Sequence, residues 1–155
     1  MANTVYSIDS SALIHAWRRA YRPKNFGVLW QNLDDLIEQS RLRASIEVYN
    51  EIQKKDDELL AWCKERKEAM FVEIDAQTQT HLVRIMKAHP RLVDTSKGRS
   101  GADPFVIALA AATAPTMVVV SEEHPGQTKI PGVCAAEKIE CINLADMIER
   151  EDWKF

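Results

Sequence analysis

With 155 residues, 46% of them hydrophobic and 28% charged, the chain is long enough to bury a core, and a single globular domain over 1–155 is expected. A net charge of −3 excludes a global attraction to polyanions, so any nucleic-acid contact must rest on local basic patches or on a bound cation. No stretch approaches the ~18 apolar residues of a membrane span and no secretory signal pattern opens the chain, while Cys63, Cys134 and Cys141 lack metal-type spacing; the expectation is a cytoplasmic protein with reduced thiols and no membrane partner.

Thr4 to Ile8 predicts a first strand, carried by Val5, Tyr6 and Ile8. Ser10 or Ser11 is placed to cap a helix reaching about Ala20, and Arg22-Pro23-Lys24-Asn25 breaks it. Apolar residues at 26, 29, 30, 33, 36 and 37 have helical spacing, so a helix follows from Phe26 to Gln39. Leu42 to Ala44 reads as a short second strand. Ser45 then caps a helix with Ile46, Tyr49 and Ile52 on one face, and helix continues from Asp57 to Glu68 through Leu59, Leu60 and Cys63. Met70 to Ile74 reads as a third strand, and Asp75 caps a helix carrying Leu82, Val83, Ile85 and Met86. Pro90 to Ala102 reads as a polar loop. Asp103 opens an apolar helix to Thr113, with Pro104 in its first turn, where a missing N–H is tolerated. Met117 to Val120 is the clearest buried strand, Ile139 to Ile142 a weaker last one, and Leu144 to Ile148 begins a closing helix. This alternation predicts an α/β fold, a three-layer α/β/α sandwich with a mostly parallel central sheet. The Asp103 helix, apolar nearly all round, should lie centrally against that sheet.

The acids fall at telling places. Asp9 ends the first apolar run and Glu122 and Glu123 end the fourth; Glu51 and Asp103 lie on predicted helices. In an open parallel sheet the carboxyl ends of the strands form the usual ligand site. Carboxylates gathered there repel one another by roughly 4 kcal/mol per pair at about 4 Å and an effective dielectric near 20. A hard divalent cation, which takes oxygen ligands, relieves that repulsion, so the pattern predicts a metal-dependent site. The competing reading makes Asp9 and Asp103 helix caps and Glu51 a solvated helix residue. Glu47, four residues before Glu51, could present its carboxylate on nearly the same face. His15, His81, His89 and His124 have no ligand spacing, although His124 adjoins the acids. Trp17, Trp30, Trp62 and Trp153 read as packing residues ahead of base-stacking ones. No glycine-rich loop supports nucleotide binding, and Asp9-x-Ser11 lacks the second Asp of a haloacid-dehalogenase-type phosphatase.

Four segments resemble the motifs of PIN-domain ribonucleases. Ile8-Asp9-Ser10-Ser11-Ala12-Leu13-Ile14 is similar to the opening motif, Ser45 with Glu51 to the second, Ala102-Asp103-Pro104-Phe105-Val106-Ile107-Ala108 to the third, and Val118-Val119-Val120-Ser121-Glu122-Glu123 to the fourth. Their order agrees from Val5 to Glu123, and within the family the chain looks like the VapC-type toxins of toxin–antitoxin pairs, with a longer middle region. The resemblance implies a PIN-like fold and an endoribonuclease that uses Mg²⁺ or Mn²⁺ to cut single-stranded RNA, leaving 5′-phosphate and 3′-hydroxyl ends. By resemblance Asp9, Glu51, Asp103 and Glu123 would be the catalytic acids. Asp9, Asp103 and Glu123, with Glu122 beside it, would hold the metal, and Ser11 and Ser121 would orient them.

The family most often has Asp at the fourth acid, where this chain has Glu123 next to Glu122. Register favours Glu123 as the inward one. The departure leaves a second reading open, a catalytically weak or inactive PIN-like module that binds RNA or protein. Candidate RNA contacts are Lys97 and Arg99 ahead of Asp103, and Arg18 in the run of Arg18, Arg19, Arg22 and Lys24, with Arg41 and Arg43 around the second strand; the alternative for each is a solvated face. A cognate antitoxin is the protein partner the resemblance implies, with a homodimer also open. Phe26–Gln39 and Ile46–Cys63 are candidate surfaces.

Overall fold

Short β-branched runs separated by amphipathic helices assemble here into one sheet. The structure, a computed structural model, describes residues 4–55, 58–92 and 101–155. The strands are β1 (Tyr6–Ile8), β2 (Leu42–Ser45), β3 (Phe71–Val72), β4 (Val118–Val120) and β5 (Cys141–Ile142). The helices are α1 (Ser10–His15), α2 (Gly27–Glu38), α3 (Ile46–Lys55), α4 (Glu58–Glu65), α5 (Lys67–Met70), α6 (Ala76–Ala88), α7 (Asp103–Ala112), α8 (Ile130–Ala136) and α9 (Leu144–Arg150), with a π-helical turn over Ala16–Ala20 and a 3₁₀ turn over Pro90–Leu92. No helix among the described residues is long and apolar enough to cross a membrane.

The sheet is parallel throughout, in the order β3-β2-β1-β4-β5. In register, Tyr6 lies beside Leu42 on one side and Val118 on the other, and Ile8 lies beside Val120. The chain winds outward from β1 to β3, then returns and winds the other way through β4 and β5. The order therefore reverses between β1 and β4, and a crevice opens there at the carboxyl ends of the strands.

Helices cover both faces, as a parallel sheet requires. Tyr6, Ser7 and Ile8 are all fully buried. α7 packs across β1, β2 and β4 and against α6 and α8. The Ser7 hydroxyl donates to the Val106 carbonyl at 2.9 Å, fastening α7 to the central strand. Its small residues Ala108 and Ala110 are completely buried, so helix and sheet approach closely. α2 and α3 pack on β2. The apolar faces of α2 (Leu29, Trp30, Leu33, Leu36, Ile37) and α3 (Val48, Tyr49, Ile52) are buried in this core. Among the described residues, the large hydrophobic ones left exposed are Val28, Val83, Met86 and Phe155.

Several local expectations are corrected. The first helix turns π-helical after His15 instead of running regularly to Ala20. Neither Ser10 nor Ser11 caps it; Asp9 is the N-cap by backbone position, and the serine hydroxyls bond elsewhere. The third and last strands are cut to two residues each. α8 lies between the fourth and last strands, where the sequence reading assigns no element. Proline is compatible with a helix's first turn, and Gly132 is required by a close approach: a Cβ there would lie 1.9 Å from the Gly126 carbonyl oxygen. The caps at Asp75, which accepts from the Thr78 amide at 2.8 Å, and at Asn143 form as ordinary N-caps do.

Candidate active site

The crevice between β1 and β4 collects the acids. Asp9 directly follows β1 and is held to β4 through its amide, which donates to the Val120 carbonyl at 2.9 Å. Ser121, Glu122 and Glu123 directly follow β4, and Asp103 opens α7 beside them. Carboxylate oxygens of Asp9, Asp103 and Glu123 all lie within 4.8 Å of one another. Asp9 and Asp103 are buried, and Glu123 is partly so.

The helix-cap reading can be tested here. Asp9 makes no side-chain cap bond to α1, and Ala102, not Asp103, holds the N-cap position of α7. Instead Asp9 Oδ2 accepts from two hydroxyls, Ser11 at 2.6 Å and Ser121 at 3.3 Å. The same serines brace the loop after β4: Ser11 Oγ accepts from the Glu122 amide at 3.0 Å and Ser121 Oγ from the Glu123 amide at 3.1 Å. Asp9 is thus oriented by a network that spans both central strands.

The two adjacent glutamates diverge. Glu123 joins the cluster while its Oε1 accepts from the Ile130 amide at the start of α8, 3.0 Å away. Glu122 turns away: its Oε2 accepts from the Leu144 amide at 2.7 Å and its Oε1 lies 3.8 Å from His15 Nε2. No signal in the local sequence could assign these directions, because they depend on the N-termini of α8 and α9.

Glu51 lies outside the group of three but close by, its Oε1 accepting from the Ser10 hydroxyl. Its charge is felt by both Asp9 and Asp103. Its rival Glu47 accepts from the Asn50 side chain at 3.1 Å instead.

Burial pushes the Asp9 carboxyl up to about 6; the Ser11 hydroxyl bonded to it works against that, and the charges of Glu123 and Glu51 add to it. Burial also pushes Asp103 up to about 9, with repulsion from Asp9, Glu123 and Glu51 and a hydrogen-bonding contact to Glu123 acting the same way. Two carboxyl groups in such contact need a shared proton or a cation between them.

The donor set fits a hard divalent cation. Asp9 Oδ1 is a buried oxygen with no hydrogen-bond partner among the described residues. Leaving such an acceptor unmet in a protein interior is costly. The ligands are all carboxylate oxygens, and their spread matches a cation with ligand distances of about 2.0–2.6 Å.

The basic candidates separate. Lys97 and Arg99 lie outside the described residues. Arg18 lines a cleft beside the acids, together with Ser11, Ile14, His15, Arg19 and Glu122. Arg41, a candidate phosphate contact weighed against a solvated face, is neither and sits at the amino end of β2. It is buried in an ion pair with Glu151 at 2.5 Å, which also accepts from the Tyr6 hydroxyl at 2.5 Å. Arg43 lines a pocket with Val5, Ser40 and Met117, also toward the amino ends of the strands. Trp17, Trp30 and Trp62 stack edge to face or tilted on one another, Trp17 and Trp30 with centroids 5.0 Å apart, and so serve packing.

With this geometry in view, the sequence profile of the family described as a domain of unknown function (DUF4411) matches residues 6–155. The chain belongs to the DUF4411 family. The match spans every strand of the sheet and all four acidic positions. No curated protein sequence matches the chain. Among solved structures, this DUF4411 chain is similar to VapBC2 from Rickettsia felis, solved bound to a DNA fragment from their promoter, over 90% of this chain and 98% of that one, with a TM-score of 0.54 and 12% identity. It is also similar to FitAcB from Neisseria gonorrhoeae, over 90% and 97%, with a TM-score of 0.55 and 16% identity. At these identities the likeness shows the fold, the PIN-like α/β/α arrangement on a parallel sheet.

Proposed function

We propose that this chain is a Mg²⁺- or Mn²⁺-dependent endoribonuclease of single-stranded RNA, formed by one PIN-like domain over 1–155 and acting as the toxin of a toxin–antitoxin pair. The observation that carries this reading is the buried Asp9–Asp103–Glu123 cluster with its unpartnered Asp9 Oδ1, placed at the point where the strand order reverses. The toxin role rests on the VapC-type motifs together with the fold shared with VapBC2 and FitAcB.

In this reading Asp9, Asp103 and Glu123 hold the cation, which when bound supplies positive charge against the scissile phosphate and polarises it. Ser11 and Ser121 hold Asp9 through Oδ2 and leave Oδ1 for the cation. Glu51, outside the three and accepting from the Ser10 hydroxyl through Oε1, is the acid placed to accept the proton of the attacking water. Attack in line on phosphorus expels the 3′ oxygen and leaves a 5′-phosphate.

One observation favours the second reading, a PIN-like module with little or no activity. Glu123 stands where the resembled motif has Asp, and one of its oxygens is already engaged by the Ile130 amide.

The test is RNA cleavage by the purified chain beside D9N and D103N, with Mn²⁺, with Mg²⁺ and with EDTA. Metal-dependent cutting that leaves 5′-phosphate ends and disappears in both variants is the expected result. RNA retained in a gel shift with no cutting under either metal would assign the binding-module reading instead.

A further inference from the structure

Two of the three free cysteines are neighbours, and the cation site uses neither. Cys134 lies near the end of α8 and is fully buried; Cys141 opens β5 and is partly exposed. The Cys134 thiol donates a hydrogen bond to the Cys141 sulfur. That bond, with burial added to it, raises the Cys134 thiol; it lowers Cys141 against the effects of burial and of the charges of Asp9 and Glu123. Cys63 sits apart on α4, where burial pushes its thiol up to about 12 against the pull of Arg66.

The backbone fixes this encounter. α8 ends in a Schellman turn: the Lys138 amide donates to the Ala135 carbonyl at 3.2 Å and the Ile139 amide to the Cys134 carbonyl at 2.8 Å, with Lys138 left-handed at φ 60°. The chain therefore doubles back along the helix. Side chains alternate along an extended segment, so Cys141 shares the face of Ile139 and meets Cys134. The sheet holds it there, since the Val119 amide donates to the Glu140 carbonyl and the Ser121 amide to the Ile142 carbonyl, both at 2.9 Å. Cys141 pairs with Val119, one residue short of the end of β4, so the two sulfurs lie just beneath the acids.

We infer that Cys134 and Cys141 are a modification site, a dithiol that hydrogen peroxide converts into an intrachain disulfide, and that this bond weakens the hold of α8 on Glu123. Only the second part rests on the cation reading. Cys141, the accessible partner, reacts first. Its sulfur attacks a peroxide oxygen, the O–O bond breaks, and the departing hydroxide leaves as water with the thiol proton. The Cys134 sulfur then attacks the Cys141 sulfenic acid; the S–S bond forms, the S–O bond breaks, and hydroxide leaves as water with the Cys134 proton. Two thiols and one peroxide give one disulfide and two waters. Thiols in hydrogen-bonding contact must close to about 2.05 Å to be joined. α8 is only seven residues long, so a shift at Cys134 moves its first turn, where the Ile130 amide holds Glu123 Oε1 at 3.0 Å.

The test treats the full chain with hydrogen peroxide, removes the peroxide, blocks remaining thiols in denaturant and digests with trypsin. Cleavage after Lys138 separates residues 130–138 from 139–150, so the disulfide appears as these two peptides linked. The count of free thiols should fall from three to one, and a reductant should restore it. C134A should stop at a Cys141 sulfenic acid that dimedone traps. C141S should give no linked pair, and C63S should oxidise as wild type does. The Mn²⁺-induced rise in Tm should shrink in the oxidised wild type and stay unchanged in peroxide-treated C134A/C141S.

A treated chain that keeps three free thiols, or that links through Cys63 or between two molecules, would overturn the site. A linked pair with an undiminished Mn²⁺ response would overturn its effect on α8. Absence of any Mn²⁺ response in the reduced chain would remove the cation reading, while the linked pair would still establish the dithiol.

Discussion

Asp9 and Asp103 illustrate a site in which function and stability pull in opposite directions. A carboxyl raised above its ordinary value of 3.8 binds more protons in the folded than in the unfolded chain, so stability is lost as pH rises through the interval between the two values. For Asp9 that interval runs to about 6 and for Asp103 to about 9. Without added metal, Tm should therefore fall from pH 5 to pH 9 in differential scanning fluorimetry. D103N removes the carboxyl that must take up a proton on folding at that pH, and should be more stable than wild type at pH 8 by about 1–2 kcal/mol, or about 2–8 °C for a chain of this length. It should also be inactive; a D103N protein less stable than wild type at that pH would contradict the repulsion argument. S11A removes one of the two hydroxyls on Asp9 Oδ2 and should lower metal affinity or cleavage about 10–100-fold, read by titration and by rate.

Among the elements, α8 is the one whose placement matters most for the acids. The Ile130 amide at its first turn takes Glu123 Oε1, and Gly132 lets the helix lie against the Gly126 carbonyl. G132A drives a Cβ into backbone and not into a flexible side chain, so helix or loop must shift. The expected cost is about 1–3 kcal/mol, as for overpacking elsewhere, measured by urea denaturation. Metal-dependent Tm shifts should shrink along with it, because Glu123 is carried on the displaced loop. An unchanged metal response in a destabilised G132A would separate the helix from the site.

Over the molecule, the two ends of the sheet carry different polar clusters. At the carboxyl end like charges crowd together; at the amino end Tyr6, Arg41 and Glu151 form a matched buried set. R41A leaves Glu151 buried without its cation and should cost about 3–5 kcal/mol. Its Mn²⁺-induced Tm increment should equal that of wild type, since the acids lie at the other end of the strands. A cation at 100 times its Kd stabilises by about 2.7 kcal/mol. Because it displaces protons from Asp9 and Asp103, the increment should be larger at pH 8 than at pH 5.5. An increment that does not vary with pH would show that the ion binds elsewhere.

Much of this was readable from the order of residues. Val118 to Val120 marks a buried strand because three consecutive apolar residues, covered on both faces, suit a parallel sheet; Val5, Tyr6 and Ile8 mark the other through β propensity, and the nearly all-apolar α7 announces its central position. Asp9 and Glu123 stand just after those strands, so their approach follows from parallel geometry, while Asp103 is brought to them by the central placement of α7. Local sequence could not decide what depends on contacts between distant segments. The opposite directions of Glu122 and Glu123 are set by amides of α8 and α9, elements that follow them in the chain. The choice of Glu51 over Glu47 comes from Ser10, and the burial of Arg41 comes from Glu151, 110 residues away. The winding after His15 is π-helical, which no local sequence signature announces; Trp17 lies within it and packs on Trp30 and Trp62, contacts between segments far apart in the chain.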